Sequence, residues 1–149
     1  MFVVFEGLDK TGKGTLEWEF LKATNFKHVV IDRGPMGYMT FDKLLGRETK
    51  LGNQEFIHQA RKMTKSGDFM VVYCRAGEEA VNERLKAHNE QQLDCGKSYI
   101  DMQQLYDLNV RRYYKQDVVL WLDTDKHTVG ECIELICQKL KEVRRSEYN

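Results

Sequence analysis

The chain has 149 residues, 42% of them hydrophobic, and its 23 basic side chains balance 23 acidic ones. That length supports one domain, residues 1–149, with a core of its own and is short for two. The balanced charge leaves no field to gather nucleic acid or an anionic membrane, and no apolar run approaches the roughly 20 residues that span a bilayer. The opening MFVVFEGLDK enters an apolar run with no basic leader, so no secretory signal is expected. Cys74, Cys95, Cys132 and Cys137 form no CxxC pair, and the histidines are scattered. Reduced thiols, no zinc constellation and a cytoplasmic location are the expectations.

In chain order, four short apolar runs predict strands at residues 2–5, 28–31, 69–74 and 118–122. None alternates polar with apolar, as expected of parallel strands covered on both faces. Helices are predicted at 13–23, then at 36–45 and 51–65, split around Gly46 and Gly52. Residues 77–89 set Ala80, Val81 and Leu85 at helical spacing, with Arg84 beside them. Residues 99–115 put Met102, Leu105, Tyr106, Val110 and Tyr113 on one stripe. Residues 128–143 do the same with Cys132, Ile133, Ile136 and Leu140, with Thr128 and Glu131 placed as a capping box. The polar tail 144–149 is expected to fray. The alternation of strand and helix predicts an α/β fold of three layers, a parallel sheet of four to five strands between helices.

The chemistry-bearing motif is Gly7-Leu8-Asp9-Lys10-Thr11-Gly12-Lys13-Gly14-Thr15, placed between the first strand and the first helix. Its glycines let the backbone curl round an anion, and the helix start adds a positive dipole end. Gly7, Gly12 and Lys13 fit the first seven positions of the phosphate-binding motif GxxxxGK(S/T), with Lys13 expected on the β- and γ-phosphates of ATP. Gly14 stands where the Mg²⁺-binding hydroxyl belongs, and Thr15 comes one residue late, about 100° further round a helix. Either Thr15 substitutes as the metal ligand, or Mg²⁺ is held mainly by phosphates and water.

Phe5-Glu6-Gly7-Leu8-Asp9 with Gly12-Lys13 resembles the FEGLDxxGK start of thymidylate kinases. Asp32-Arg33 resembles the DR or ER pair that follows a strand in thymidylate and deoxynucleoside kinases. Residues 84–90, with Tyr99-Ile100 and Leu105-Tyr106, resemble their lid and the helix after it, and a short lid over about 84–98 is expected. The GKGT ending is also shared with adenylate kinases. The resemblance implies the P-loop kinase fold, in a compact, phage-type member acting in nucleotide biosynthesis. It implies Lys13 on phosphate charge, Asp9 on the acceptor's sugar hydroxyl, and Arg33 on the acceptor phosphate or the transferring group. Asp32 would orient Arg33, hold metal-bound water or accept a proton. Residues 32–42 resemble DRYxxSSxAYQ, which puts Phe41 against the acceptor base and Asp42 on a base-reading glutamine.

The departures are specific. An ionised Asp42 only accepts hydrogen bonds, which suits guanine or cytosine better than thymine. Between Lys86 and Lys97 there is His88 and no arginine, so Arg84, Lys86 and Lys97, with Arg111 and Arg112 beyond, are the cations left to meet phosphates. Few residues separate the first helix from Asp32, where longer relatives carry an acceptor-binding segment. The first expectation is transfer of the ATP γ-phosphoryl group to a deoxynucleoside monophosphate, with Arg33, Arg111 and Arg112 as the clamp. The alternatives are a deoxynucleoside 5′-kinase, with Asp32 as base, and a non-catalytic nucleotide-binding regulator. The expected partner is a small nucleotide or nucleoside rather than nucleic acid or a membrane, and a homodimer is compatible with the sequence.

Overall fold

The computed structural model describes residues 1–146. Four parallel strands, β1 (Phe2–Glu6), β2 (Val29–Asp32), β3 (Phe69–Arg75) and β4 (Val119–Asp123), form one sheet in the order β2-β1-β3-β4. The helices are α1 (Lys13–Ala23), α2 (Pro35–Leu44), α3 (Lys50–Lys65), α4 (Glu78–Ala87), α5 (Tyr99–Tyr113) and α6 (Val129–Ser146), with a short 3-10 turn at Gln116–Val118. Each predicted element exists, with no end shifted by more than three residues and α1 at the predicted 13–23.

Alternation along the strands sorts side chains to two cores. Val3 and Phe5 of β1 with Met70, Val72 and Cys74 of β3 meet Leu16 and Phe20 of α1 and Ile136 and Leu140 of α6. Val4, Val71 and Tyr73 face the opposite way, toward Met36 and Phe41 of α2, Val81 and Leu85 of α4 and Tyr106 of α5. The result is the expected three-layer arrangement. Both cores are made of buried apolar side chains, whose removal from water supplies most of the fold's stabilisation.

The sheet has four strands, within the four to five expected. Three readings change. β2 is an edge strand, half-open to solvent, with Val29 52% exposed; its apolar residues reflect strand propensity rather than cover on both faces. Gly52 does not separate helices but lies in the first turn of α3, where its N–H donates to the capping Thr49 hydroxyl. The expected fraying fails for Arg144–Ser146, which continue α6; the rest of that expectation, residues 147–149, lies outside the described residues. The capping box of α6 forms as read: Glu131 N–H donates to Thr128 Oγ1, and Thr128 N–H donates to Glu131 Oε1. No helix among the described residues is long and apolar enough to cross a membrane.

The order β2-β1-β3-β4 places β1 centrally, between β2, reached from it through α1, and β3, reached from β2 through α2 and α3. At such a switch the connections diverge to opposite faces and leave a crevice beyond the carboxyl ends of the strands. Residues 7–12 and Asp32-Arg33 both sit there.

Candidate active site

The loop is built by backbone constraint. Gly7 has φ 143°, and a Cβ there would lie 2.3 Å from the Cys74 carbonyl oxygen of β3, so only glycine fits. Gly12, at φ 93°, caps α1 without a side-chain acceptor, which leaves the first-turn N–H groups facing the cleft. Lys10 takes φ 62°, a strained value for a residue with a Cβ. From the far side, Thr124 just after β4 donates its hydroxyl to the Thr11 carbonyl at 2.6 Å. Arg84 of α4 donates to the Lys10 carbonyl at 2.8 Å. The loop is therefore held by the ends of three strands and by α4.

Lys13 is the buried cation of this loop. Its Nζ donates to the carbonyls of Gly7 at 2.8 Å and Leu8 at 3.0 Å, and burial pulls its pKa down, opposed chiefly by Asp9. An arriving phosphate would offer it a charged acceptor in place of two neutral ones.

Around the loop lies a cleft of about 680 Å³. Asp9, Lys10, Gly12, Lys13, Gly14, Thr15, Asp32, Arg33 and Arg84, nine of the residues marked from sequence, line it together. Arg33 has φ 60° and reaches back so that its Nη2 sits 3.2 Å from Asp9 Oδ1, its guanidinium 4.1 Å from the centre of the Phe41 ring. Phe41 is buried under that guanidinium and faces a smaller apolar crevice with Leu8, Leu85 and Met102. Glu90 meets Lys10 at 3.1 Å, so the segment after α4 touches the loop.

Other marked residues are placed elsewhere. Asp42 does not line the cleft; its carboxylate pairs with Arg47 at 3.3 Å. Arg111 lies against Trp121, 5.1 Å from the ring centre, and Arg112 against Tyr113 at 5.5 Å; neither lines the cleft. The cationic clamp expected from that pair is not assembled, because α5 reaches the ligand edge with its N-terminus while the arginines stand in its last turn.

The donor set suits Mg²⁺ as a hard, oxygen-bound ion. Thr15 is exposed at the cleft, and nothing lies within 4 Å of where a Gly14 side chain would begin. Glu17, one turn beyond Lys13, faces Asp32; its Oε1 is buried without a hydrogen-bond partner, and burial followed by the Asp32 charge raises its pKa to about 7. Among the described residues no group of three or more His, Cys, Asp or Glu side chains is placed to hold a metal ion.

Sequence reasoning missed several members of this site. Glu17 belongs to no motif in the sequence. Thr124, His127, Val129 and Cys132 line the cleft from the segment after β4. Their signal was position alone: like Asp32-Arg33, they follow the carboxyl end of a parallel strand. Glu6 falls within the resembling stretch without a role of its own, although a carboxylate ending a buried strand is itself a flag.

No protein-family model matches the chain, and no curated protein matches it. Among solved structures it is similar to the YorR protein of Bacillus subtilis in complex with phosphorylated GDP, with TM-score 0.72 and 15% identity over 95% of this chain and 96% of that one. It is also similar to deoxyadenosine kinase from M. mycoides with bound dCTP, with TM-score 0.60 and 14% identity over 95% and 99% of the two chains. The same kinase with the products dCMP and a flexible dCDP gives TM-score 0.55 and 16% identity over the same shares. At these identities the likeness concerns architecture alone: the chain shares the three-layer α/β fold of these solved structures.

Proposed function

We propose that this chain is a nucleotide kinase that moves the γ-phosphoryl group of ATP to a deoxynucleoside monophosphate. The observation that carries the reading is the convergence of Lys13, Arg33 and Arg84 with the open N-terminus of α1 on one cleft. Phosphoryl transfer needs positioning and neutralisation of charge more than covalent help, and this cleft supplies both. Solved structures of the same architecture hold phosphorylated GDP, dCTP and dCMP, which supports nucleotides as the ligand class.

In this reading the backbone of residues 7–12 and Lys13 hold the donor phosphates, and Thr124, His127 and Val129 border its base. Arg33 turns from Asp9 to the acceptor phosphate, because two forked N–H donors fit phosphate oxygens better than one carboxylate edge. Asp9, once released, accepts from the acceptor's sugar hydroxyl. The bond from the γ-phosphorus to the ADP oxygen breaks as a bond to an acceptor phosphate oxygen forms, giving ADP and a deoxynucleoside diphosphate. Arg84 and Arg33 offset the charge that spreads over the transferring group. Thr15, Glu17 and Asp32 would be the side chains available to hold Mg²⁺, which would supply further neutralisation of phosphate charge. Residues 84–98 serve as the lid, and the single domain spans 1–149.

A second reading, a deoxynucleoside 5′-kinase, draws on Asp32. Its carboxylate lines the cleft with no salt-bridge partner among the described residues, as a base for a 5′-hydroxyl proton would. The absence of Arg111 and Arg112 from the cleft also removes part of the monophosphate clamp. A coupled ADP-release assay with Mg-ATP, run against the common nucleosides and their monophosphates, separates the readings. Turnover with a monophosphate is expected. Turnover with nucleosides alone selects the second reading, and ATP binding without turnover on any acceptor leaves a nucleotide-binding regulator.

A further inference from the structure

Glu6 ends β1 directly before Gly7 and is fully buried. An ionised carboxylate in such a place is costly unless it is hydrogen-bonded, and an apolar side chain would pack there at less cost. Both of its oxygens are engaged across the sheet. Oε1 accepts from the Gly34 N–H, and Oε2 accepts from the Gly37 N–H at 2.9 Å. These are amides of the N-cap and first turn of α2, which follows Arg33. The neighbouring Phe5 carbonyl accepts from the Arg33 N–H at 2.9 Å. Two successive residues of β1 thus hold three amides of the bend in which Arg33 takes its left-handed φ of 60°.

Little space remains around this bend. A Cβ at Gly34 would lie 2.6 Å from Val4 Cγ1 and 2.8 Å from Glu6 Oε1. A Cβ at Gly37 would lie 2.5 Å from Arg33 Cγ and 2.6 Å from the Tyr106 hydroxyl. The stem of Arg33 therefore runs over Gly37, and its guanidinium emerges above Phe41 beside Asp9. On the other side of Glu6, the Gly7 carbonyl receives Lys13 Nζ. One side chain stands at the junction of the donor loop and the Arg33 bend.

We propose that Glu6 is a positioning residue that fixes the backbone of Arg33 and Gly34 against the phosphate loop and so sets where the Arg33 guanidinium enters the cleft. The kinetic arm of this inference rests on the reading of Arg33 as the acceptor's phosphate ligand. Glu6 acts only through that bend and touches neither substrate.

The test compares Glu6→Gln, Arg33→Ala and the double variant. Glutamine keeps one acceptor oxygen and turns an NH₂ toward the other amide, so one hydrogen bond is lost at nearly constant shape. The acceptor KM of Glu6→Gln should rise about 10-fold, the effect of one buried hydrogen bond, with ADP affinity within about 2-fold of wild type. The double variant should be no worse than Arg33→Ala, within about 2-fold, because both changes remove one function. In Glu6→Gln the Gly34 and Gly37 amides should exchange hydrogen at least about 10-fold faster, with Gly12 and Gly14 unchanged. Losses that multiply in the double variant, equal weakening of donor and acceptor, or unchanged Gly34 and Gly37 exchange would each overturn the inference. Should Glu6→Gln not fold, Glu6→Asp, one methylene too short to reach both amides, takes its place. Failure of both to fold would assign Glu6 to the fold alone and also overturn it. If the wild-type protein turns over no acceptor, the functional reading fails, while the amide exchange still decides the role of Glu6.

Discussion

The donor half of the cleft and its acceptor half are built differently. The donor loop is shaped by its own backbone, with Gly7 against Cys74 and Gly12 at the start of α1, and the Thr124 and Arg84 side chains brace its Thr11 and Lys10 carbonyls. The acceptor half depends on side chains attached to one bend, with Arg33 between Asp9 and Phe41 and Glu6 beneath it. Phosphate is alike in every nucleotide, so a rigid backbone cradle serves any of them. Acceptors differ in base and phosphate, and there side chains, which change by single substitutions, make the contacts.

The sharpest way to break this comparison is to remove the charge of the donor loop. Lys13→Ala should keep the fold and reduce transfer by more than about 100-fold. Near-normal turnover would show that the loop does not act in catalysis. On the acceptor side, Arg33→Ala should raise the acceptor KM by about 30-fold, with ADP affinity changed by less than about 3-fold; an equal loss at both sites would erase the distinction between the halves. Arg84→Ala lies between them. It removes a cleft cation and a brace on Lys10, so kcat should fall about 10-fold with both KM values moving less than about 3-fold.

A thermodynamic prediction concerns the bend. Burial raises the Glu6 carboxyl to about 8, although the Gly34 and Gly37 amides, Lys13 and Arg33 all favour its charged form. The unfolded chain releases this proton near 4.5 and the folded chain near 8, so the folded state binds the extra proton between these values. Stability supplied by the neutral carboxyl is fully present below about pH 4.5 and is lost as the pH rises through about 8. Urea unfolding across that window should lose roughly 1 kcal/mol per pH unit from this group, and Glu6→Gln should flatten the slope. An unchanged slope would mean that Glu6 stays ionised in the folded protein. The smallest effect is expected at Asp42. Its partner Arg47 is exposed and the pair lies outside the cleft, so Asp42→Asn should change acceptor KM by less than about 3-fold. A large change in base preference would return Asp42 to the acceptor site.

The same contrast explains what could be read without coordinates. The loop was legible because glycine spacing and a lysine before a helix encode backbone geometry locally. The strands were legible as apolar runs, yet β2 could not be told from a covered strand, because Val and Ile suit edge and centre alike. Asp32 and Arg33 are marked in the sequence by their resemblance to the DR pair that follows a strand in thymidylate and deoxynucleoside kinases, and both line the cleft. Arg111 and Arg112 share their charge but not their place: which end of α5 meets the ligand edge is a tertiary fact. Glu17 and Glu6 were lost for a related reason. The meaning of a carboxylate depends on what it faces, Asp32 for one and the amides of α2 for the other.

The central claim, that the donor loop and the Arg33 bend serve one phosphoryl transfer, is tested most directly by following γ-³²P from labelled Mg-ATP into a panel of deoxynucleosides and their monophosphates. The account predicts labelled deoxynucleoside diphosphate from at least one monophosphate, abolished in Lys13→Ala and reduced in Arg33→Ala. Tight ATP binding with no label in any acceptor would contradict it.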